Sequence, residues 1–345
     1  EAETALRKAL SLAPDIPQIH NNYGNVLRGR AAYREAIACY QAALDRRPDY
    51  LEARGNMGVA LQEAGDSAAA IECFESVLEN APEDGATWTH LGAALATEGR
   101  LVDAEAAHRK AIALLPGSPD PHNNLGIVLK DQGRLVEARD AYQAALERDP
   151  ADSGLHSNLL MCLCYDPAVT AEETIELHRD WAARYAPLAD VEPFHIDDKG
   201  PLRVGYLSPD FREHSVAYFV DSIFANHNSA CVSLYAYNDA ADSDETTARL
   251  RASTAHWRDV YTDDTETLYR RIRDDGIQVL IDLAGHTANN RLPVFARRAA
   301  PVQVTWLGYG MTTGLPQMDY LLSDDWVDPP GPADDWCTEE ICRLP

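Results

Sequence analysis

Residues 117–150 read GSPDPHNNLGIVLKDQGRLVEARDAYQAALERDP, and the same plan occurs one period earlier in residues 83–116, EDGATWTHLGAALATEGRLVDAEAAHRKAIALLP. Pro14, Pro48, Pro82, Pro116 and Pro150 are spaced 34 residues apart without an insertion. Gly24, Gly58, Gly92 and Gly126 keep that period, as do Ala36, Ala70, Ala104 and Ala138, while Tyr40, Phe74, His108 and Tyr142 share a further register. Self-similarity at a fixed period of this length marks a stacked repeat whose single unit cannot bury its own apolar face. The residue types fit two antiparallel helices per unit. Small Gly and Ala let the helices cross closely, large side chains fill the space between pairs, and Pro stops each second helix. In the quoted unit the first helix is expected over 121–130, a turn at Gly133, and the second helix over 135–148. Four whole repeats and a leading half repeat then stack into a superhelix with a concave groove suited to extended polypeptide.

This pattern, over residues 1–164, resembles the tetratricopeptide repeat. One of its registers is polar where packing needs no polarity: Asn22, Asn56, His90, Asn124 and Asn158 fall 34 apart. A carboxamide both donates to and accepts from a peptide bond, so a ladder of them would hold a protein substrate by its backbone. The competing reading is that these Asn bond only neighbouring helices. His90 interrupts the ladder, and the adjacent Asn21 and Asn123 are read as solvated or structural.

Composition narrows the functional classes. The 345 residues carry 30 Lys plus Arg against 55 Asp plus Glu, a net charge of -25. An acidic surface with no compensating Lys/Arg stripe disfavours nucleic acid, so neutral or basic partners are expected. No stretch approaches the ~18 apolar residues of a membrane span. The seven cysteines are odd in number and scattered, mostly in helical or apolar contexts, which predicts buried reduced thiols and a cytoplasmic location. Cys162 and Cys164 form a CxC with no second Cys/His pair at zinc spacing, so no metal is expected. The sequence opens at Glu1 inside a helical pattern with no signal-peptide character and reads as a fragment entered mid-repeat.

After Asn158 the rhythm fades. Residues 171–185, AEETIELHRDWAARY, read as one amphipathic helix able to cap the superhelix. Pro187, Pro193, Asp197, Asp198, Gly200 and Pro201 then supply linker chemistry, so residues 165–200 are assigned to a capping helix and linker. From 201 to 345 the pattern becomes short apolar strands alternating with helices. Strands are expected at 203–207, 232–237, 278–283, 302–307 and 320–322, and helices at 245–252 and 265–275. This implies an α/β lobe with a parallel, Rossmann-like sheet, whose ligands bind beyond the carboxyl ends of the strands. Three strand-end segments stand out: 208–215 (SPDFREHS), 285–290 (GHTANN) and 306–314 (WLGYGMTTG). Their imidazoles move protons near neutral pH, their hydroxyls and carboxamides pair with sugar hydroxyls, and their glycines permit close backbone approach. None is a Gly-rich dinucleotide fingerprint, which leaves a nicotinamide-dependent sugar-nucleotide enzyme or epimerase without support.

Behind the repeats, the segments RVGYLSPDFREHS, DLAGHTANNRL and APVQVTWLGYGMTTGLPQMDY resemble the protein O-linked N-acetylglucosamine transferases, including the plant SPINDLY-type members that transfer fucose. The resemblance covers essentially the whole chain. It implies the first lobe of a GT-B glycosyltransferase and an inverting transfer from a nucleotide sugar to Ser or Thr hydroxyls of proteins. N-acetylglucosamine from UDP-N-acetylglucosamine is the first expectation and GDP-fucose the alternative. No cofactor beyond the donor substrate is implied. By the same resemblance, His214 is the candidate base or organiser, Thr287 with the Leu307–Gly308 backbone contacts the donor sugar, and His286 fits the GHTANN pattern of the SPINDLY-like and bacterial branch. Asp282, ending its strand, is an alternative acid or proton relay, with a capping carboxylate as the plain reading. Gly308-Tyr309-Gly310 stands where the family usually has Gly-Tyr-Pro, which puts the Tyr309 sugar contact in question.

The family's second lobe, with the lysine that meets the diphosphate, would follow Pro345. Half a cleft offers the leaving group no charge stabilisation from the other side, so these 345 residues alone are expected to bind protein and transfer little. A non-catalytic scaffold is the rival reading, and the retained His214, His286, Thr287 and glycine-rich loop argue against it. Whether the repeats pair copies of the chain through their outer faces is left open.

Overall fold

The computed structural model describes residues 2–186, 191–194 and 200–345, so the expected linker residues Pro187, Asp197 and Asp198 lie outside the described residues. The chain divides into two compact units, Glu1–Pro150 and Ala151–Pro345.

The first unit is helical: α1 (Ala2–Leu12), α2 (Pro17–Arg28), α3 (Tyr33–Arg46), α4 (Leu51–Glu63), α5 (Ser67–Asn80), α6 (Gly85–Thr97), α7 (Leu101–Leu114), α8 (Asp120–Asp131) and α9 (Leu135–Arg148). The 34-residue registers account for the pairing. A Cβ at Gly24 would meet the Tyr40 ring at 2.6 Å, and one at Gly58 the Phe74 ring at 2.6 Å, so α2/α3 and α4/α5 approach only through glycine. Ala36, Ala70, Ala104 and Ala138 are fully buried at the same crossings. The turns after α4, α6 and α8 use Gly65, Gly99 and Gly133 at positive φ, and the equivalent position after α2 is Ala31, at φ 56. Asp66 and Asp84 cap α5 and α6 through the backbone N–H groups of their first turns.

The second unit opens with α10 (Ser153–Leu163) and α11 (Ala171–Tyr185), the latter begun by a Thr170–Glu173 capping box. The sheet strands are β1 (Leu202–Ser208), β2 (Val232–Asn238), β3 (His256–Asp259), β4 (Val279–Asp282), β5 (Val302–Trp306), β6 (Tyr320–Asp324) and β7 (Glu340–Leu344). Helices α12 (Ser215–Asn226), α13 (Glu245–Ala252), α14 (Thr265–Asp274) and α15 (Leu292–Ala296) connect them. All pairings are parallel, in the order β3-β2-β1-β4-β5-β6-β7. The order reverses between β1 and β4, which is the switch point where such sheets open a crevice.

Two apolar clusters hold the sheet. One gathers Tyr206, Phe211, Val216, Val220, Phe224 and Leu250 under α12 and α13. The other joins Tyr237, Leu268, Leu280 and Phe295 to Leu160 of α10 and Trp181 of α11. The α11 face expected to cap the superhelix is therefore spent in the core of this unit. The α/β expectation holds, with α12, α15, β3 and β7 added to it. The cysteines need one correction: all seven are free thiols, but Cys231 and Cys342 are exposed, because the alternating β7 and the turn before β2 lie at the surface.

Candidate functional site

The candidate site lies beyond the carboxyl ends of β1, β4 and β5. After β1, Ser208 Oγ accepts from the Asp210 N–H at 3.0 Å and turns the chain toward α12. His214 is the N-cap of that helix, its Nδ1 accepting from the Val216 N–H at 3.3 Å. The Asp210 carboxylate stands 3.7 Å from the same nitrogen, with Arg212 3.6 Å from Asp210. The His214 ring is 40% exposed, so a substrate can reach it.

Asp282 ends β4 at 1% exposure. It accepts from the Ala284 N–H at 3.1 Å, the Gly285 N–H at 2.8 Å and the Thr305 hydroxyl at 3.1 Å. Burial pushes its pKa up to about 6 against those three bonds. These contacts make Asp282 the brace of the 283–287 turn. Within that turn, both the N–H and the hydroxyl of Thr287 donate to the Ala284 carbonyl, at 3.1 and 2.8 Å.

After β5, Leu307 takes φ 70 in a tight turn closed by the Gly308 N–H to the Trp306 carbonyl at 2.8 Å. A Cβ at Gly308 would lie 1.8 Å from the Leu283 carbonyl oxygen, so only glycine lets the two loops touch. Leu307 and Gly308 remain half-buried at the strand ends and Gly310 is exposed.

His286 and Tyr309 sit differently from their neighbours in sequence. His286 is 0% and Tyr309 4% exposed. His286 Nδ1 lies 3.0 Å from Ser157 Oγ and its Nε2 2.9 Å from the Thr313 carbonyl. The Tyr309 hydroxyl lies 2.7 Å from His178 Nε2 and 3.1 Å from Cys164 Sγ. Burial, with His178 alongside, holds the His286 pKa well below the ordinary range, and burial raises that of Tyr309 well above it. Both side chains thus lie inside the unit with their polar atoms engaged, where a sugar contact from either ring does not fit.

Sequence reasoning missed the groups that brace these loops. Asp239 and Arg291 form a bidentate pair at 2.7 Å beside the loop after β4. The buried Glu339 carboxylate accepts from the Thr312 hydroxyl at 2.6 Å and the Thr313 N–H at 2.7 Å. Ser157, Cys164 and His178 come from the helical hairpin. Only His178 had a visible signal, an imidazole on the apolar stripe of α11 with Ile175, Trp181 and Ala182.

In the first unit, Asn56 and His90 line a cavity of about 360 Å³ floored by Val59, Phe74 and Val77, with Glu52 and Asp84 at its edge. Asn56 donates to Asn21 Oδ1 at 3.0 Å, and Asn21, fully buried, donates to Glu52 at 3.0 Å, so Asn21 is structural. The His90 ring stacks on Phe74 with centroids 5.7 Å apart. Asn22 is exposed, and Asn124 is half-buried, accepting from Asn123 at 3.4 Å. Asn158, half-buried, lies on α10 of the second unit. Among the described residues no group of three His, Cys, Asp or Glu side chains is placed to hold a metal ion, and no helix is long and apolar enough to cross a membrane.

Residues 186–343 match the model of glycosyl transferase family 41, and residues 15–83, 56–119 and 95–160 match tetratricopeptide repeat models. A probable UDP-N-acetylglucosamine–peptide N-acetylglucosaminyltransferase SPINDLY of Solanum lycopersicum is 38% identical over 193 residues, covering 54% of this chain and 21% of that protein. A UDP-N-acetylglucosamine–peptide N-acetylglucosaminyltransferase of Caenorhabditis elegans is 32% identical over 161 residues, covering 46% of this chain and 14% of that protein. Among solved structures, a mutant of the Thermobaculum terrenum O-GlcNAc transferase superposes with a TM-score of 0.78 at 37% identity, covering 85% of this chain and 57% of that one.

Proposed function

Starting from a chain that joins tetratricopeptide repeats to a glycosyl transferase family 41 segment, we propose that the whole protein transfers N-acetylglucosamine from UDP-N-acetylglucosamine to Ser or Thr hydroxyls of proteins held in the repeat groove. The observation that carries this reading is the 40% exposed side chain of His214 in the segment after β1, at the switch point of the sheet, with Thr287 and the Leu307–Gly308 turn following the next two strands, β4 and β5. The acceptor oxygen attacks the anomeric carbon, the bond from that carbon to the diphosphate breaks, and the anomeric configuration inverts. The nucleoside diphosphate leaves with the bonding electrons, and the hydroxyl proton passes to the diphosphate oxygen on which that charge develops.

The Nδ1 lone pair of His214 is taken by the Val216 N–H, so a neutral ring carries its proton on Nε2. That favours His214 as an organiser donating to substrate oxygen over a base. Asp282, with both oxygens occupied, acts through the turn it braces. The carboxamide and imidazole at the 360 Å³ cavity hold the extended acceptor, consistent with Asn56 and His90 meeting it from adjacent helix pairs.

In the whole protein, His214→Ala should lower turnover by on the order of a hundredfold, and a loss below about tenfold removes it from the site. Asn56→Ala with Asn124→Ala should weaken peptide capture while leaving thermal unfolding within a few degrees. Unchanged capture would make these Asn structural and discard the groove.

A further inference from the structure

We propose that His178 of α11 is a positioning residue that, with Ser157 and Cys164 of the preceding hairpin arm, fixes the 285–290 and 307–314 loops in the shape the donor sugar meets. The donor part of this rests on the glycosyl-transfer reading above.

The hydrogen-bond directions can be assigned from the partners. His178 Nδ1 lies 2.6 Å from the Thr174 carbonyl, which only accepts, so Nδ1 bears the proton and Nε2 is an acceptor. The Tyr309 O–H at 2.7 Å then donates to Nε2, and its oxygen is left to accept from the Cys164 S–H at 3.1 Å. His286 follows the same logic: Nε2 donates to the Thr313 carbonyl at 2.9 Å, and Nδ1 accepts from the Ser157 O–H at 3.0 Å. Two one-way chains result, Cys164 to Tyr309 to His178 to Thr174, and Ser157 to His286 to Thr313.

Each chain passes through a residue of a candidate-site loop. Tyr309 follows the Leu307–Gly308 turn, and His286 precedes Thr287. A single turn of α11 reaches both: the His178 and His286 rings are 5.0 Å apart, and Trp181 meets His286 edge-on at 4.7 Å. The His178 carbonyl also lies 2.3 Å from where a Cβ on Gly314 would be, so the helix backbone presses on the far end of the second loop. An apolar side chain at 178 would fill the volume, but it would leave the Tyr309 hydroxyl only the weak Cys164 sulfur as an acceptor. Losing the stronger bond of a buried hydroxyl is costly enough to move it.

The test compares His178→Asn with His178→Gln in the full chain. An Asn amide can meet the Thr174 carbonyl at the reach of Nδ1 but not Tyr309; a Gln carbonyl oxygen extends as far as Nε2 and can accept from Tyr309. Amide hydrogen exchange should rise at least about tenfold over 308–313 in His178→Asn, with β2 and α14 unchanged, and return to within about threefold of wild type in His178→Gln. Equal loop exchange in all three proteins, or a rise spread evenly over the unit in both variants, would overturn the positioning role. In the whole protein His178→Asn should raise the donor KM about tenfold without altering peptide capture, and an unchanged donor KM with a loosened loop would overturn the donor link. If wild type transfers no sugar from any donor, the functional reading fails, and the exchange experiment still decides whether His178 sets the loops.

Discussion

His108 occupies the slot that Tyr40, Phe74 and Tyr142 fill in the other repeats, fully buried against Gly92, and neither of its ring nitrogens has a partner. Burial pushes its pKa down to about 4. His108→Phe should raise unfolding stability by about 1–3 kcal/mol in urea at neutral pH, because the unsatisfied nitrogens disappear while the ring volume remains. The pH dependence has a definite sign. Between about 6.5 and 4 the unfolded histidine binds a proton that the folded one refuses, so stability is full above 6.5 and falls as the pH drops toward 4. His156 and His178, also held at about 4 by burial, add to that loss, and the phenylalanine variant should show a shallower decline. At this scale the sequence was informative where a residue type interrupts its register or sits at a strand end, as with His90 and His214. It was silent on Glu339, Arg291 and Ser157, whose meaning comes from partners 26, 52 and 129 residues away.

Among the elements, the turn after α2 is the irregular one, since Ala31 stands at φ 56 where its counterparts are glycines. Ala31→Gly should gain about 0.4–1 kcal/mol, read as a rise in the thermal midpoint, because a Cβ in the left-handed region costs more than the added freedom of the unfolded glycine. Gly308→Ala should do the reverse. Its Cβ would collide with the backbone of the neighbouring turn, so a loss of about 2 kcal/mol or more is expected, with disorder starting at the loops after β4 and β5. The strands β1, β2, β4, β5 and β6 were legible as short apolar runs. β3 was not, since HWRD is four residues with two charges at a sheet edge, and β7 alternates exposed and half-buried residues at the other edge. Helix α12 escaped because the exposed Tyr218 and Phe219 blur the apolar stripe that marks a surface helix.

Taken whole, the molecule is an acidic repeat array followed by a parallel α/β unit, and both halves were announced by pattern: a strict period of 34, then alternation of strand and helix. The place of the α10–α11 hairpin inside the second unit was not, because an amphipathic stripe reports that a face is buried and not against what. α11 spends that stripe on the sheet's core, and this is how His178 comes to hold the site loops. The net charge of -25, with Glu52 and Asp84 beside the groove cavity, predicts that Lys/Arg-flanked peptides bind better than acidic ones. That preference should shrink as salt rises from about 0.05 to 0.5 M, measured by fluorescence anisotropy; a salt-independent preference would remove charge from the recognition.

The most direct test is intact-mass analysis of Ser/Thr proteins incubated with the whole protein and either UDP-N-acetylglucosamine or GDP-fucose. The account predicts a gain of one N-acetylhexosamine per modified site with the first donor, appearing about a hundredfold more slowly in His214→Ala. A gain of deoxyhexose instead would move the donor to GDP-fucose, and no gain with either, in a protein that still captures peptide, would contradict glycosyl transfer and leave a binding scaffold.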